Sequence, residues 1–409
     1  MKKFFTLFLM FFSIFIIAQE NQFGIKFSGY VKSDYFVDTR INNVYPREGH
    51  FFLYPSNISK DSAGKDINEK INMNMLAIQT RLKGDVKGPD FLNAKTSGTI
   101  EAEFFGHSDA DINGLRLRHA FMKLKWEKFE ILAGQYWHPM FSVDCYAGTV
   151  SFNTGTPIQP FSRNPQLRLS FNLTKSFTVL AIGSSERDFT STGPDGASSK
   201  YVRNSGRPMG HLQLQLKPDG TENVFGIGVD VKAINPEDVT YKIYKTDKSL
   251  ISKSALAYAK IKTKPVTIKF YTSYVENGFN LMQIGGYACV DTTNLATGER
   301  DYENIRTGSA WLDISSNTKK FQYGVFAGFS RNLGLENKTD GIKYYSRGSN
   351  IDYIYRISPR FVYNLNNFSI GAEIEHTVAA YGTSGTQAIV GNAEEVANDR
   401  LIISLTYKF

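Results

Sequence analysis

The sequence predicts an all-β protein: a transmembrane, antiparallel, up-and-down β-barrel of about sixteen strands. Three observations predict it. Apolar and polar residues alternate with period two along most of the chain, as expected when one strand face meets lipid and the other meets water. The connections between these segments are short and long in turn. After residue 17 there is no run of ~20 apolar residues, which a spanning helix would need.

Composition agrees. Of 409 residues, 14% are aromatic and 34 are glycine, yet mean hydropathy is negative. A barrel wall has this blend because only every second residue faces hydrocarbon. The formal net charge is +8, of which Lys2 and Lys3 contribute two, leaving +6 for the remainder. The sequence has no nucleic-acid-binding motif.

Lys2 and Lys3 precede an apolar run over residues 4–17, and Ala18 is a small residue at a suitable cleavage position. This reads as a secretory signal peptide over 1–18, with the barrel over 19–409. No cysteine follows Ala18, so no lipid-anchor site is evident there. Export through a cleavable signal and a closed barrel together predict an outer-membrane location.

The clearest strand is Gln166-Leu167-Arg168-Leu169-Ser170-Phe171-Asn172-Leu173, with leucines and Phe171 on one face and polar side chains on the other. Leu212, Leu214 and Leu216 repeat the pattern, as do Phe225, Ile227, Val229 and Val231. Near the end, Phe368, Ile370, Ala372 and Ile374 oppose Ser369, Gly371, Glu373 and Glu375. Strands of about nine to thirteen residues match a tilted bilayer crossing. The second strand is centred near residue 77.

Short connections fall at 126–128, 173–175, 218–223, 263–265, 317–319 and 364–367. Long ones fall at 39–69, 138–164, 187–207, 233–251, 278–300, 333–349 and 381–398, and a brief loop at 107–113 takes the remaining long-loop place. Short turns are periplasmic and long loops extracellular in such barrels, which puts both termini in the periplasm. The last strand places Leu401, Ile403, Leu405, Tyr407 and Phe409 on one face. Its aromatic end resembles the signal read by the outer-membrane barrel assembly machinery. No plug-sized segment or heptad pattern precedes the first strand.

Gly29-Tyr30-Val31-Lys32-Ser33-Asp34 with Asp38-Thr39-Arg40, Gly98-Thr99-Ile100-Glu101-Ala102-Glu103-Phe104-Phe105-Gly106, Leu115-Arg116-Leu117-Arg118-His119-Ala120-Phe121, Leu132-Ala133-Gly134-Gln135 and Arg163-Asn164-Pro165-Gln166-Leu167-Arg168 follow one another in an order that resembles the DcaP-like family of outer-membrane porins. The ordered resemblance covers residues 24–173; beyond that the strand rhythm alone matches. It implies a homotrimeric porin that passes small anionic, dicarboxylate-like solutes.

A pore selects through the charges lining its lumen. Alternation nominates Arg116, Arg118, Arg168, Arg356, Arg360, Lys32 and Lys269 as inward cations, and Glu101, Glu103, Glu373 and Glu375 as inward acids. Two readings of the acids stand side by side: a wall facing the cations across the lumen, or ion pairs that stiffen the barrel. The loop 138–164 is the candidate constriction, with Asp144 and Arg163 as its charges and Gly148, Gly155, Pro157 and Pro160 suited to a folded loop. It either folds inward or lies outward against neighbours.

Other signals carry less. Asp109-Ala110-Asp111-Ile112-Asn113-Gly114 opens like a calcium loop, but the twelfth position is Ala120 where a glutamate is required. The six histidines are dispersed, and no phosphate-binding loop is present, so no metal or cofactor is expected. Cys145 and Cys289 both fall in loop segments, and their pairing is open. Tyr30, Tyr136, Trp137, Trp311 and Tyr407 read as interface-belt or lumen aromatics. Two other functions compete with diffusion: surface binding or adhesion by the long loops, and a barrel hydrolase. For the hydrolase, no nucleophile and base are brought together by spacing.

Overall fold

The computed structural model describes residues 23–42, 46–338 and 343–409; the signal peptide expected over 1–18 lies outside them. Sixteen antiparallel strands close into one barrel. They are β1 (Gly24–Asp38), β2 (Asn72–Leu76 continued by Arg81–Lys87), β3 (Lys95–Glu103), β4 (Arg116–Lys125), β5 (Phe129–Trp137), β6 (Arg163–Asn172), β7 (Phe177–Ser184), β8 (Met209–Leu216), β9 (Val224–Ile234), β10 (Leu250–Lys262), β11 (Val266–Glu276), β12 (Glu299–Ser316), β13 (Phe321–Gly334), β14 (Ile351–Leu365), β15 (Phe368–Ser384) and β16 (Val390–Lys408).

Each strand pairs with its sequence neighbour. The ring shuts where β1 pairs with β16, from Tyr30 opposite Lys408 to Asp38 opposite Arg400. Closure is what a lipid-exposed sheet requires, because an open edge would leave backbone N–H and C=O groups unpaired in hydrocarbon. The alternation sorts as expected. Leu167, Leu212, Ile227, Val229, Leu401 and Ile403 are exposed on the outer face, whereas Gln166, Gln213, Asp230, Arg400, Ile402 and Ser404 between them are buried.

Four features depart from the sequence reading. Residue 77 is not a strand centre but lies in a break: Asp34 faces Leu76 and Tyr30 faces Arg81, so four residues of β2 oppose three of β1. The break is held from within, by Thr80 Oγ1 accepting from the Lys32 amide at 3.2 Å. Strand length also runs beyond thirteen residues, to 19 in β16. Beyond the bilayer a ladder needs no apolar face, so the pairing continues where alternation has faded.

For the same reason the expected loop 381–398 is mostly strand. Ser384 pairs with Val390, leaving 385–389 as the connection. The expected loop 278–300 likewise contains a strand, Gly285–Asn294, which pairs with the start of β12 and with Lys343–Arg347. Cys145 and Cys289 are both free thiols.

Candidate functional site

The segment 138–162, between β5 and β6, runs through the barrel interior and touches the wall on many sides. Tyr271 on β11 donates its hydroxyl to the carbonyl of Met140 at 2.7 Å. Lys269 donates to the carbonyl of Tyr146 at 2.9 Å, and Lys32 on β1 to that of Val150 at 2.9 Å. Asn153 donates its amide to Glu375 at 2.7 Å, and the Val150 amide donates to Glu373. Trp311 on β12 donates to the Gln159 side chain at 2.6 Å.

Arg356 on β14 makes three bonds from one guanidinium. It donates to the carbonyl of Thr156 at 2.9 Å, to that of Leu53 at 2.8 Å and to Thr377 Oγ1 at 2.8 Å. Leu53 belongs to a second infolded segment, from the loop between β1 and β2. There Phe51 and Phe52 are buried, and Phe51 packs with Phe152 and Phe161 of the interior loop at 5.2 and 5.1 Å between ring centroids.

The nominated charges therefore divide into groups. Lys269, Glu373 and Glu375 face inward and bond to the loop, and Arg356 divides its bonds among the loop, Leu53 and Thr377. Arg360 is joined to Asp313 at 2.7 Å. Glu103, fully buried at the end of β3, is surrounded by Arg116 and Arg118 at 2.6 Å each, Arg81 at 3.3 Å and Arg163 at 3.8 Å. Arg118 also meets Glu101 at 2.5 Å, and Arg163 meets Asp188 at 2.6 Å. Arg163 is the first residue of β6, not a loop residue. Acids and arginines are thus interleaved in pairs within the wall.

Asp144 on the loop accepts from Gln215 at 2.9 Å and pairs with Lys217 at 3.2 Å. Arg168 differs from the other arginines. Its guanidinium donates to Gln166 at 3.2 Å and the carbonyl of Trp137 at 3.2 Å, and lies 5.0 Å from the Tyr136 ring centre. Among the described residues, no carboxylate is within ion-pairing distance of it.

Between the loop and strands β1–β8 lie two cavities. One, of about 520 Å³, is lined by Lys32, Arg81, Lys83 and Arg118 against the single acid Glu101. The other, of about 340 Å³, is lined by Lys123, Lys125, Arg168 and Lys217 against Glu130 and Asp144. Both are net positive. Arg81, Lys83, Lys123, Lys125, Lys217 and Glu130 were missed among the sequence nominations. The signal was present: Arg81 and Lys83 flank Leu82, and Lys123 and Lys125 flank Leu124, in the same alternation that nominated Arg168.

The calcium-like segment is a short 3-10 turn over Asp109–Asp111. Asp109 accepts from the Arg47 amide at 2.6 Å and Asp111 from the His107 amide at 3.3 Å. No group of His, Cys, Asp or Glu that could hold a metal ion is found among the described residues. Burial pushes the Cys145 thiol, on the interior loop, up to about 12, so at neutral pH it is a protonated packing group rather than a nucleophile.

No protein-family model and no curated sequence matches the chain. Solved structures do. The outer-membrane channel DcaP of Acinetobacter baumannii superposes with a TM-score of 0.68 at 15% identity, covering 96% of this chain and 99% of that one. This chain has the fold of a DcaP-type barrel. The anion-selective porin from Comamonas acidovorans matches with a TM-score of 0.55 at 9% identity, over 95% of this chain and 100% of that one. Salmonella typhi OmpF, solved with daunomycin, matches with a TM-score of 0.55 at 13% identity, over 94% and 97% of the two chains. At such identities the likeness is one of fold: a sixteen-stranded porin barrel, in agreement with the DcaP-like resemblance read from the first strands.

Proposed function

We propose that the chain is an outer-membrane porin through which small anionic solutes diffuse passively. The observation that carries this reading is the lining of the two cavities beside the interior loop: each holds four cations and no more than two acids. A solute entering that space meets a net positive field in a confined, partly desolvated volume, where charge acts more strongly than in bulk water. A porin performs no bond chemistry, so Arg168 acts by attraction, while Lys32 and Arg118 add to the field of their cavity from positions held by the Val150 carbonyl and by Glu101 and Glu103. Arg116, Arg356, Arg360, Glu103, Glu373 and Glu375 hold the loop and wall that give the passage its shape, Lys269 tethers the loop, and Glu101 and Asp144 temper the field.

The anion-selective porin among the fold neighbours supports the sign of this preference, and the DcaP-like resemblance supports dicarboxylate-like solutes. A Vibrio cholerae outer-membrane protein of similar fold, OmpT, was solved in a trimer form (TM-score 0.54). By analogy this chain works as a homotrimer embedded in outer-membrane lipid. Its export signal is removed after Ala18, and the barrel assembly machinery inserts it.

Reconstitution of the purified protein in a planar bilayer tests the reading. Diffusion through a trimer predicts stepwise conductance in groups of three, without any added substrate. A folded barrel that inserts but passes no current overturns it.

A further inference from the structure

Tyr136 of β5 lines both cavities. The other residues common to the two are Phe141 and Val143 of the interior loop. The two basic cavities thus share an apolar and aromatic partition, with one wall side chain on one side and two loop side chains on the other. From this arrangement we infer that Tyr136 sets the size limit of the passage, separately from the charges that set its ion preference. The inference rests on the porin reading above and deepens it.

The geometry holds the Tyr136 ring in place. The Arg168 guanidinium lies 5.0 Å from its centre. Phe121 of β4 meets it edge-on at 4.9 Å and 78°, and the His119 ring lies at 5.4 Å. Gly134, two residues earlier and opposite Phe121 in register, makes room for this cluster. Its φ is +130°, and a Cβ there would fall 2.2 Å from the Ala120 carbonyl oxygen, so the strand bends at a position only glycine occupies without strain. On the loop side Phe141 is locked as firmly. It stacks on Trp137 at 4.1 Å and 17°, on Tyr146 at 5.6 Å and 26°, and edge-on against Phe161 at 5.8 Å.

A rigid aromatic ring facing a rigid loop makes an aperture of fixed width. The partition itself carries no charge, while the cations sit in the chambers to either side. A solute attracted into one chamber must shed water to pass Tyr136 and is then received by cations in the next. Charge and cross-section are therefore read by different residues.

Liposome swelling with the neutral sugars arabinose, sucrose and raffinose separates the two. Tyr136→Ala joins the chambers, and it is expected to raise the sucrose and raffinose rates several-fold relative to arabinose, while the reversal potential in a salt gradient keeps its sign. Tyr136→Phe keeps the ring and is expected to behave as the unmodified protein. Val143→Phe narrows the same aperture from the loop side and should depress the larger sugars first. It also keeps the test decisive if Tyr136→Ala does not fold, which heat-modifiable mobility on gels reports. Size dependence unchanged in a folded Tyr136→Ala barrel, or in Val143→Phe, overturns the assignment. Absence of swelling even by arabinose in the unmodified barrel overturns instead the diffusion reading beneath it.

Discussion

Asp313 on β12 receives two nitrogens of the Arg360 guanidinium from β14, at 2.7 and 3.0 Å, across the whole width of β13. The bridge spans one intervening strand because Gly324 of β13 has no side chain: a Cβ there would stand 2.8 Å from the Arg360 guanidinium carbon. Asp313 also accepts from the Gly148 amide of the interior loop at 3.3 Å. One buried pair thus ties two strands and the loop together across a third strand.

Removal of Asp313 leaves a buried guanidinium without its counter-charge. Asp313→Ala is expected to cost about 3–5 kcal/mol, read from the urea midpoint of the barrel in detergent. Gly324→Ala should act in the same direction by displacing Arg360. Both variants should also make the open-channel current noisier, since the loop loses a tether.

Arg168 and Arg116 differ in what surrounds them, and so should their substitutions. Arg168 lines a cavity and has no ion-pairing acid among the described residues, whereas Arg116 pairs with Glu103 at 2.6 Å. Arg168→Gln is expected to reduce the anion-to-cation permeability ratio markedly. Arg116→Gln should change it little and lower stability instead.

The two faces of β6 give a direct test of inside and outside. Leu167 is 50% exposed on the outer face, and Ser170 lines a cavity. Leu167→Arg places a charge in hydrocarbon, at an expected cost of about 2–4 kcal/mol near the midplane. Ser170→Arg should fold as the parent does and move the reversal potential toward anions. Equal destabilisation by the two would contradict the assigned phase.

Cys145 reports on the loop. Its thiol is buried, and burial pushes it up to about 12, so at pH 8 almost no thiolate is present to react. Maleimide labelling of Cys145 in the folded barrel should be slow, and it should speed up in Asp313→Ala if that variant frees the loop from the wall.

The barrel was legible in the sequence because the bilayer imposes its period on every strand. Leu167, Ile227 and Ile403 declare the lipid face whatever lies opposite them. The signal stops where the bilayer stops, which is why Tyr381 to Asn398 read as loop although Tyr381 pairs with Glu394. Alternation also reports direction and not occupancy. It turned Arg356 and Glu375 inward, but the bonds that fix their work, to Thr156 and Asn153, join positions some two hundred residues apart and appear only once the ring has closed. Tyr136 illustrates the same limit. Its sequence neighbourhood marks an aromatic of belt or lumen, and its place between two cavities depends on a loop that returns to face it.

In the function proposed above, net positive chambers give the passage its preference. The reversal potential of single channels under a potassium chloride gradient tests it most directly. The expected potential has the sign that chloride permeation imposes, and it shrinks in Arg168→Gln. A potential of the opposite sign, with potassium as the favoured ion, would contradict it.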